Sequence, residues 1–404
     1  MIIQPGPVRG VVRVPGSKSL THRAVLMAAQ SSRPCDVVGG LEGADTQATL
    51  GAMDAFGAMR DGWAFSPAEL HAGDVDCANS GTTLRLTTAT AARFDGPSRF
   101  DGDASLRGRP NGPLLDALRG LDARIDGGPT CPYIVRGPMQ AGDVVLPPQV
   151  SSQYASGLLL SLPMLDGDST LRPEPPVSSR PYLDLTLGVA RAGGLRIDVE
   201  GDAFHIPGGQ RPDAARFEVE GDWSTAAFPL VAGAIAGDVT VEGLDEDSRQ
   251  GDKRILDILR AFGADVQGTR VREASLRSPG LVDVADGPDM FPALCVLAAC
   301  AEGMTTFTGG AALRHKESDR IAAMAAGLQA MGIDCTETED GLVVVGGRLH
   351  AAAIDSRGDH RIHMAFCTAA LVADGPVTVS EPDCVAVSHP DFHRDLHALQ
   401  AGAP

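Results

Sequence analysis

The chain has 404 residues, a formal net charge of −18 and an apolar fraction of 43%. This length exceeds the size at which one hydrophobic core usually stops growing, so two domains are expected. The charge argues against nucleic acid and anionic membranes as partners, because both need a basic surface to displace counterions from phosphate. The three lysines are Lys18, Lys253 and Lys316, so a basic pocket for an anionic ligand has to be built mainly from arginine.

A pattern of about 70 residues recurs along the whole chain. Each copy opens with a Ser, Asn or Asp that predicts a helix cap, and continues as a helix of small apolar residues. Such repetition indicates an architecture built from similar units. The six predicted helices begin at Ser17, Asn79, Ser151, Asp222, Asp289 and Asp359.

Runs of β-branched residues separate these helices and predict strands, as at Asp238–Val241, Leu342–Val345 and Pro376–Ser380. A second, more polar helix is predicted in each unit, as at Ile255–Phe262. A helix that is apolar on nearly all sides must be wrapped by other structure. We therefore expect three units per domain around buried helices, with a domain boundary just before Asp222.

The starts of these helices carry an unusual number of basic side chains. A helix N-terminus attracts anions, because its first N–H groups lack partners and its dipole is positive there. The segment Leu313–Arg320 adds a dense cluster of charges. One such helix start alone is typical of a solvated helix end, but their recurrence indicates an anion site. The side chains concerned are Lys18, Arg23, Arg85, His360 and Arg361.

Gly16–Ser19 does not form a nucleotide-binding P-loop, because the required upstream glycine is missing. The eight cysteines show neither C-x-x-C spacing nor clustering with histidine, so neither a metal site nor a disulfide framework is predicted. The N-terminus has no basic segment followed by an apolar one, and no apolar run of about 18 residues occurs. A cytoplasmic location without membrane contact is therefore expected.

The repeated segments resemble those of the 5-enolpyruvylshikimate-3-phosphate (EPSP) synthase family over essentially the whole chain. The resemblance implies an α/β enolpyruvyl transferase fold, an inside-out α/β barrel of two domains, each with three βαβαββ units around buried central helices. It places one domain at 15–220, the other at 1–14 plus 221–404, and the active site in the interdomain cleft. The segments that carry it are PGSKSLTHRA at 15–24, NSGTTLR at 79–85, RP at 109–110, SSQ at 151–153, SRPYLDLTL at 179–187, LRHKESDRI from Leu313 and GDHRIHMAF at 358–366.

The resemblance implies a cofactor-free enzyme of aromatic amino-acid biosynthesis that moves the enolpyruvyl group of phosphoenolpyruvate to the 5-hydroxyl of shikimate 3-phosphate and releases phosphate. It implies Asp289 as proton acceptor for that hydroxyl, with Lys18 and Glu317 as the other proton-transfer residues. A monomer is expected. We also expect inhibition by glyphosate in competition with phosphoenolpyruvate, because Gly81 leaves room where a methyl group would crowd the site.

The same resemblance assigns binding roles residue by residue. Shikimate 3-phosphate is expected to contact Lys18, Ser19, Arg23, Ser151, Ser152, Gln153, Ser179, Tyr182, Asp289 and Lys316. Phosphoenolpyruvate is expected to contact Lys18, Asn79, Gly81, Arg109, Gln153, Arg320 and Arg361, a set rich in the guanidinium groups that suit phosphate and carboxylate. No metal is expected in the site.

Two positions depart from the family pattern: Val387 stands where many members have Lys, and Ala312 where an Asn is usual. Two alternatives stay open. A related transferase acts on UDP-N-acetylglucosamine, but its reactive Cys before the Arg-Pro pair is here Ala104. A non-catalytic binding module is the other alternative, against which the charged residues expected of an enzyme are all present.

Overall fold

The structure is a computed structural model that describes residues 1–148, 151–175, 177 and 179–402. The chain forms two compact units. Unit 1 comprises Met1–Pro15 and Gly221–Pro404, and unit 2 comprises Gly16–Glu220. Each unit has its own hydrophobic core. Residue 404, the predicted end of one domain, lies outside the described residues.

Twelve α-helices occur in the described residues. The odd-numbered helices are apolar and buried, and every residue of α7, α9 and α11 is buried. The even-numbered helices bury one side only, as α12 does with Phe392, Leu396 and Leu399. In chain order the helices are α1 Lys18–Ala29, α2 Ala44–Ala55, α3 Gly81–Ala91, α4 Gly112–Gly120, α5 Gln153–Leu159, α6 Arg180–Ala192, α7 Trp223–Ala236, α8 Ile255–Ala261, α9 Phe291–Ala299, α10 Arg320–Ala330, α11 His360–Ala369 and α12 Phe392–Gln400.

The strands of the described residues are short, with two to six residues each. They are β1 Ile2–Ile3, β2 Val8–Arg13, β3 Cys35–Val38, β4 Met59–Asp61, β5 Ala64–Ser66, β6 Val75–Asp76, β7 Gly96–Asp101, β8 Arg124–Gly127, β9 Tyr133–Gly137, β10 Asp143–Leu146, β11 Ser169–Pro173, β12 Asp198–Glu200, β13 Ala203–Ile206, β14 Arg216–Glu218, β15 Gly237–Glu242, β16 Asp265–Gln267, β17 Arg270–Arg272, β18 Leu281–Asp283, β19 Met304–Thr308, β20 Cys335–Glu337, β21 Leu342–Val345, β22 Ala353–Ile354 and β23 Val377–Val379.

These strands form three sheets per unit across the described ranges. Unit 2 has the orders β14-β3-β5-β4, β6-β7-β9-β8 and β10-β11-β13-β12, and unit 1 has β2-β15-β17-β16, β18-β19-β21-β20 and β1-β23-β22. One parallel pair recurs in every sheet, and the remaining pairs are antiparallel. Along the chain this gives successive βαβα segments, most of them followed by an antiparallel strand pair, which confirms the predicted α/β fold of repeated units.

In each unit, one parallel strand pair joins segments that are far apart in the sequence. In unit 1 the early strand β2 pairs in parallel with β15, from Val8 opposite Gly237 to Arg13 opposite Glu242. In unit 2 the late strand β14 pairs in parallel with β3, with Arg216 opposite Asp36. Both pairings have high sequence separation, so each unit closes only when distant segments meet.

The structure corrects several predicted helix caps. Ser80, not Asn79, caps α3, because the Asn79 amide is bonded to Asp103 and its carbonyl to Arg109. The cap of α9 is Met290, and Asp289 lies in the preceding 3₁₀ turn Pro288–Met290. At α1 and α5 the cap residues are Ser17 and Ser152, and neither side chain forms a capping bond. The predicted caps at Asp222 and Asp359 are confirmed by bonds to backbone N–H groups.

Within the described part of the chain, each helix is too short or too polar to cross a lipid bilayer. All eight cysteines are free thiols, six of them buried.

Candidate active site

The start of α1 depends on close backbone packing. A side chain at Gly16 would put its Cβ 2.0 Å from the Gly39 carbonyl oxygen, so only glycine fits there. Ser17 and Lys18 follow directly, and Lys18 is only 8% exposed. Its Nζ donates to Asp45 at 3.0 Å. The predicted lysine is therefore buried and held by a carboxylate of α2 that the sequence did not single out.

Arg23 lies one turn further along α1 and is 1% exposed. Its guanidinium donates to the Thr186 hydroxyl at 2.8 Å, to the Ser156 hydroxyl at 3.1 Å and to the Tyr182 carbonyl at 3.3 Å. Among the ion pairs of the described residues none involves Arg23. Burial lowers its pKa to about 10, so the group stays charged at neutral pH. A buried cation with only neutral partners is suited to an anionic ligand.

His22 lies near Lys18 and Arg23. The side chain is fully buried, and its Nδ1 lies 2.6 Å from the Thr49 hydroxyl. Burial holds the pKa of His22 well below its usual value, and the nearby charges of Lys18 and Arg23 lower it further. His22 is therefore neutral at physiological pH and adds no charge to this region.

The starts of α3 and α5 are connected through polar side chains. Arg85 donates to the Gln153 side-chain oxygen at 2.9 Å, and Gln153 donates in turn to the Thr82 hydroxyl at 2.9 Å. The Arg85 guanidinium also lies 5.5 Å from the centre of the Tyr154 ring. Both the oxygen and the nitrogen of the Gln153 amide are thus hydrogen-bonded, so the orientation of this side chain is fixed.

Arg109 joins the same group of side chains. It donates to the Asn79 carbonyl oxygen and, at 3.1 Å, to the Ser105 hydroxyl. It is 7% exposed, and it forms no ion pair within the described ranges. A methyl group on Gly81 would lie 3.2 Å from Arg85 and 3.4 Å from Arg109. A side chain at this position would therefore meet the guanidinium groups of two arginines.

The predicted serines lie at helix starts of unit 2. Ser151 accepts a hydrogen bond from the Gln153 backbone at 3.3 Å, and Ser152 is the cap residue of α5. Ser179 is the residue before α6 and has φ 54°, a left-handed conformation that a non-glycine residue adopts at a cost. Tyr182, in the first turn of α6, offers its carbonyl to Arg23. Ser19 likewise meets Arg23 through its backbone carbonyl, at 2.8 Å.

Asp289 is the centre of the charged cluster in unit 1. One carboxylate oxygen accepts from Lys316 at 3.3 Å and from Arg320 at 2.8 Å, and the other lies 3.3 Å from Arg361. Its side chain is 15% exposed. The 3₁₀ turn before α9 thus presents a carboxylate, still partly open to solvent, that three cations hold in place.

Arg320 is the most enclosed of these cations, with a side chain 1% exposed. It also donates to Glu317 at 2.8 Å and to Asp359 at 2.8 Å. Burial lowers the pKa of Arg320, but its carboxylate partners outweigh this effect and raise the pKa above its usual value. The guanidinium is therefore permanently charged and fixed by three carboxylates.

Asp359 and Ser224 were not predicted as site residues. Asp359 is fully buried, binds Arg320 and caps α11 by accepting from the Arg361 backbone at 2.9 Å. Ser224, in the first turn of α7, accepts from the Arg361 guanidinium at 2.9 Å. His360 is buried beside Asp359, at 3.9 Å. Only the position of Asp359 as a helix cap was a usable sequence signal.

The two positions that depart from the family pattern are half-buried. Ala312 lies in the 3₁₀ turn Ala311–His315 and Val387 in the 3₁₀ segment Pro382–Val387. Neither contributes a charge to the Asp289 cluster. That cluster consists of three cations and three carboxylates: Lys316, Arg320, Arg361, Asp289, Glu317 and Asp359.

Comparison with known proteins identifies the fold class first. The solved structure of the enolpyruvyl transferase NikO from Streptomyces tendae matches with a TM-score of 0.76 at 19% identity, over 98% of this chain and 96% of that one. At this identity the likeness shows the fold alone. The chain thus has the fold of an enolpyruvyl transferase.

Sequence comparison is more specific. A family model described as EPSP synthase (3-phosphoshikimate 1-carboxyvinyltransferase) matches residues 2–396. A protein of Methanocorpusculum labreanum named 3-phosphoshikimate 1-carboxyvinyltransferase is 40% identical, over 99% of this chain and 98% of its own length. An EPSP synthase structure from Acinetobacter baumannii matches with a TM-score of 0.82 and 32% identity, over 98% and 97% of the two chains. The chain belongs to the EPSP synthase family.

Proposed function

We propose that the protein transfers the enolpyruvyl group of phosphoenolpyruvate to the 5-hydroxyl of shikimate 3-phosphate and releases phosphate. Membership of the EPSP synthase family over residues 2–396 supports this reaction. The structural observation that best supports this reaction is the Asp289 carboxylate, which is held by Lys316, Arg320 and Arg361. Such a site combines a proton acceptor with cations that bind phosphate and carboxylate groups.

In this proposal Arg320, Arg361, Arg109 and Lys18 bind phosphoenolpyruvate, with Asn79, Gly81 and Gln153 shaping its surroundings. The support in unit 2 is the closeness of Arg85 and Arg109 to Gly81 and the fixed amide of Gln153. In unit 1 the support is the burial of both arginines, each at most 2% exposed. Guanidinium groups already oriented by protein partners lose little further freedom when they bind an anion.

Shikimate 3-phosphate is assigned to Arg23, Ser19 and Lys18, with neutral donors around its phosphate. The burial of Arg23 without a carboxylate partner supports an anionic ligand at this point. The neutral donors are Ser151, Ser152, Ser179, Tyr182 and Gln153, with Lys316 on a phosphate or hydroxyl. That both groups of residues serve one pair of substrates stays a prediction.

The chemistry requires a proton on the methylene carbon of phosphoenolpyruvate while the sugar hydroxyl attacks C2. The hydroxyl proton passes to Asp289, and the Lys18 ammonium supplies the proton for the methylene. The tetrahedral intermediate then loses phosphate and passes a C3 proton to Glu317, a carboxylate bonded to Arg320, so that atoms and charges balance. An anion bound to Arg320 and Arg361 competes with Asp289 for these cations, which leaves the carboxylate a better base at the moment it is needed.

Phosphate release from purified protein tests the proposal. Phosphoenolpyruvate is supplied with either shikimate 3-phosphate or UDP-N-acetylglucosamine, with and without a chelator. We expect release with shikimate 3-phosphate only. Release with the nucleotide sugar only would replace this function by the related transferase reaction, and release with neither would favour a non-catalytic module. The predicted monomeric state and cytoplasmic location are tested separately by light scattering and cell fractionation.

A further inference from the structure

Two histidines and a cysteine meet in unit 1, and none of the three belongs to the charged cluster around Asp289. His363 and Cys367 lie four positions apart on α11, so they share one face of that helix. His393 lies on α12. One ring nitrogen of each histidine and the Cys367 sulfur all lie within 4.8 Å of one another. The sequence expectation that no cysteine clusters with histidine is therefore wrong for Cys367.

Backbone carbonyls determine which nitrogen of each ring is free. His363 Nδ1 lies 2.7 Å from the Ser380 carbonyl oxygen, and His393 Nε2 lies 3.2 Å from the Pro382 carbonyl oxygen. Because a carbonyl can only accept, these two nitrogens carry the protons. The lone pairs are then on His363 Nε2 and His393 Nδ1. Both atoms are buried, and neither has a hydrogen-bond partner among the described residues.

We propose that His363, Cys367 and His393 bind one zinc ion. A carbonyl on the far nitrogen of a ligating imidazole is the usual way in which a protein fixes the tautomer that binds metal. Two imidazoles and a thiolate are ligands that zinc prefers. In a tetrahedral zinc site the N–S and N–N separations are about 3.3–3.6 Å. The present separations, none above 4.8 Å, therefore have to shorten by up to about 1.5 Å through side-chain rotation.

The protonation states of His363 and Cys367 have opposite effects on zinc binding. Burial lowers the pKa of His363 to about 4, so its imidazole is neutral at physiological pH, as a ligand must be. Burial raises the pKa of the Cys367 thiol, while the positive amino terminus, which donates to the Val379 carbonyl, opposes this rise. Zinc therefore has to displace the thiol proton, and its affinity is expected to increase with pH.

A zinc ion here would join α11 to α12. Of the three proposed zinc ligands, His363 lies one turn beyond Asp359, which caps α11. Arg361, in the first turn of the same helix, lies 3.3 Å from Asp289. The three ligands leave a fourth position for water or another group, because His393 is only half-buried. The expected role is structural: bound metal stabilises the folded chain by mass action and holds this end of α11 in place.

Cobalt substitution tests the site on the full-length protein. Chelator-treated protein is titrated with Co²⁺ and followed by absorption, since a bound thiolate gives a sulfur-to-cobalt charge-transfer band in the near ultraviolet. We expect one equivalent of cobalt, loss of the band on addition of Zn²⁺, and a rise in Tm with Zn²⁺. The variant Cys367→Ser should lose the band, and His393→Gln, which alters a half-exposed residue, should weaken cobalt binding at least tenfold.

Cys300→Ala is the control, because Cys300 is a free cysteine of unit 1 that lies at the end of α9 and outside the His363–Cys367–His393 cluster. It should keep the band and the Tm response. A wild-type protein that shows no thiolate band would overturn the proposal. A band that persists in Cys367→Ser would also overturn it. If Cys367→Ser fails to fold, the decisive variant is His393→Gln, in which an unchanged cobalt affinity would overturn the proposal.

Discussion

Replacement of Asp289 by Asn separates a role in proton transfer from a role in binding. The substitution keeps the shape of the side chain and removes one negative charge. The cluster around Asp289 has three cations and three carboxylates, and the substitution removes one of these carboxylates. The remaining carboxylates of the cluster are those of Glu317 and Asp359. The net charge of the cluster becomes more positive by one unit, so an anionic substrate is attracted more strongly, not less.

The expected size of the kinetic effect follows from the assigned role. A positioned general base contributes about 10²–10⁴-fold to a rate, which corresponds to about 3–5 kcal/mol in the activation free energy. We therefore expect kcat of Asp289→Asn to fall about 10²–10⁴-fold, while KM for phosphoenolpyruvate stays unchanged or decreases. Folding should be retained, because Arg320 keeps its bonds to Glu317 and Asp359.

Steady-state phosphate release at varied phosphoenolpyruvate measures both constants. Asp286→Asn serves as the control, since Asp286 lies three residues earlier and is half-exposed, 3.7 Å from Arg254. It should behave like the wild type. A near-normal kcat in Asp289→Asn would remove its role as a base, and a raised KM at unchanged kcat would show that the carboxylate acts only in substrate binding.

Three further outcomes are expected. Arg23→Met should raise KM for shikimate 3-phosphate roughly 10- to 150-fold, the equivalent of about 1.5–3 kcal/mol for a hydrogen bond to a charged group; an unchanged KM in a steady-state assay would contradict the assignment. Gly81→Ala should weaken inhibition by glyphosate more than it raises KM for phosphoenolpyruvate, since the methyl group would lie 3.2 Å from Arg85; equal sensitivity of variant and wild type would refute this. The buried His22, whose pKa is lowered by burial, must gain its proton on unfolding, so its contribution to stability is present above about pH 6.5 and is lost as pH falls below it. Urea unfolding at several pH values should show that the free energy of unfolding falls less at low pH in His22→Gln than in the wild type. Parallel plots of this free energy against pH for the two proteins would count against this role of His22.

The repeated architecture was predictable because it depends on patterns within short windows. The apolar helices at Asp222 and Asp359 and the strands at Leu342–Val345 occur where composition and periodicity indicated them. The helix caps were less predictable. At Asn79 and Asp289 a polar side chain that could cap a helix is instead bonded to arginines from elsewhere in its unit. Local propensity does not reveal such competition, because the competing group is distant in sequence.

Partners of the predicted site residues were mostly missed for the same reason. Asp45 holds Lys18 from another helix, and Thr186 meets Arg23 across 163 residues. Their residue types give no signal, since Asp and Thr are common at the ends and on the surfaces of helices. The cluster of His363 and Cys367 with His393 was missed because only the first two are neighbours in sequence.

Charge pairing differs between the predicted site residues of the two units. In unit 1 each predicted arginine faces a carboxylate of its own unit, as Arg361 faces Asp289. In unit 2 the described ion pairs include neither Arg23 nor Arg109, although both are at least nine-tenths buried. A buried cation without a counter-charge costs folding free energy, and a bound anion offsets that cost. Anion binding should therefore stabilise unit 2 directly, whereas in unit 1 an anion must first compete with carboxylates that are already in place.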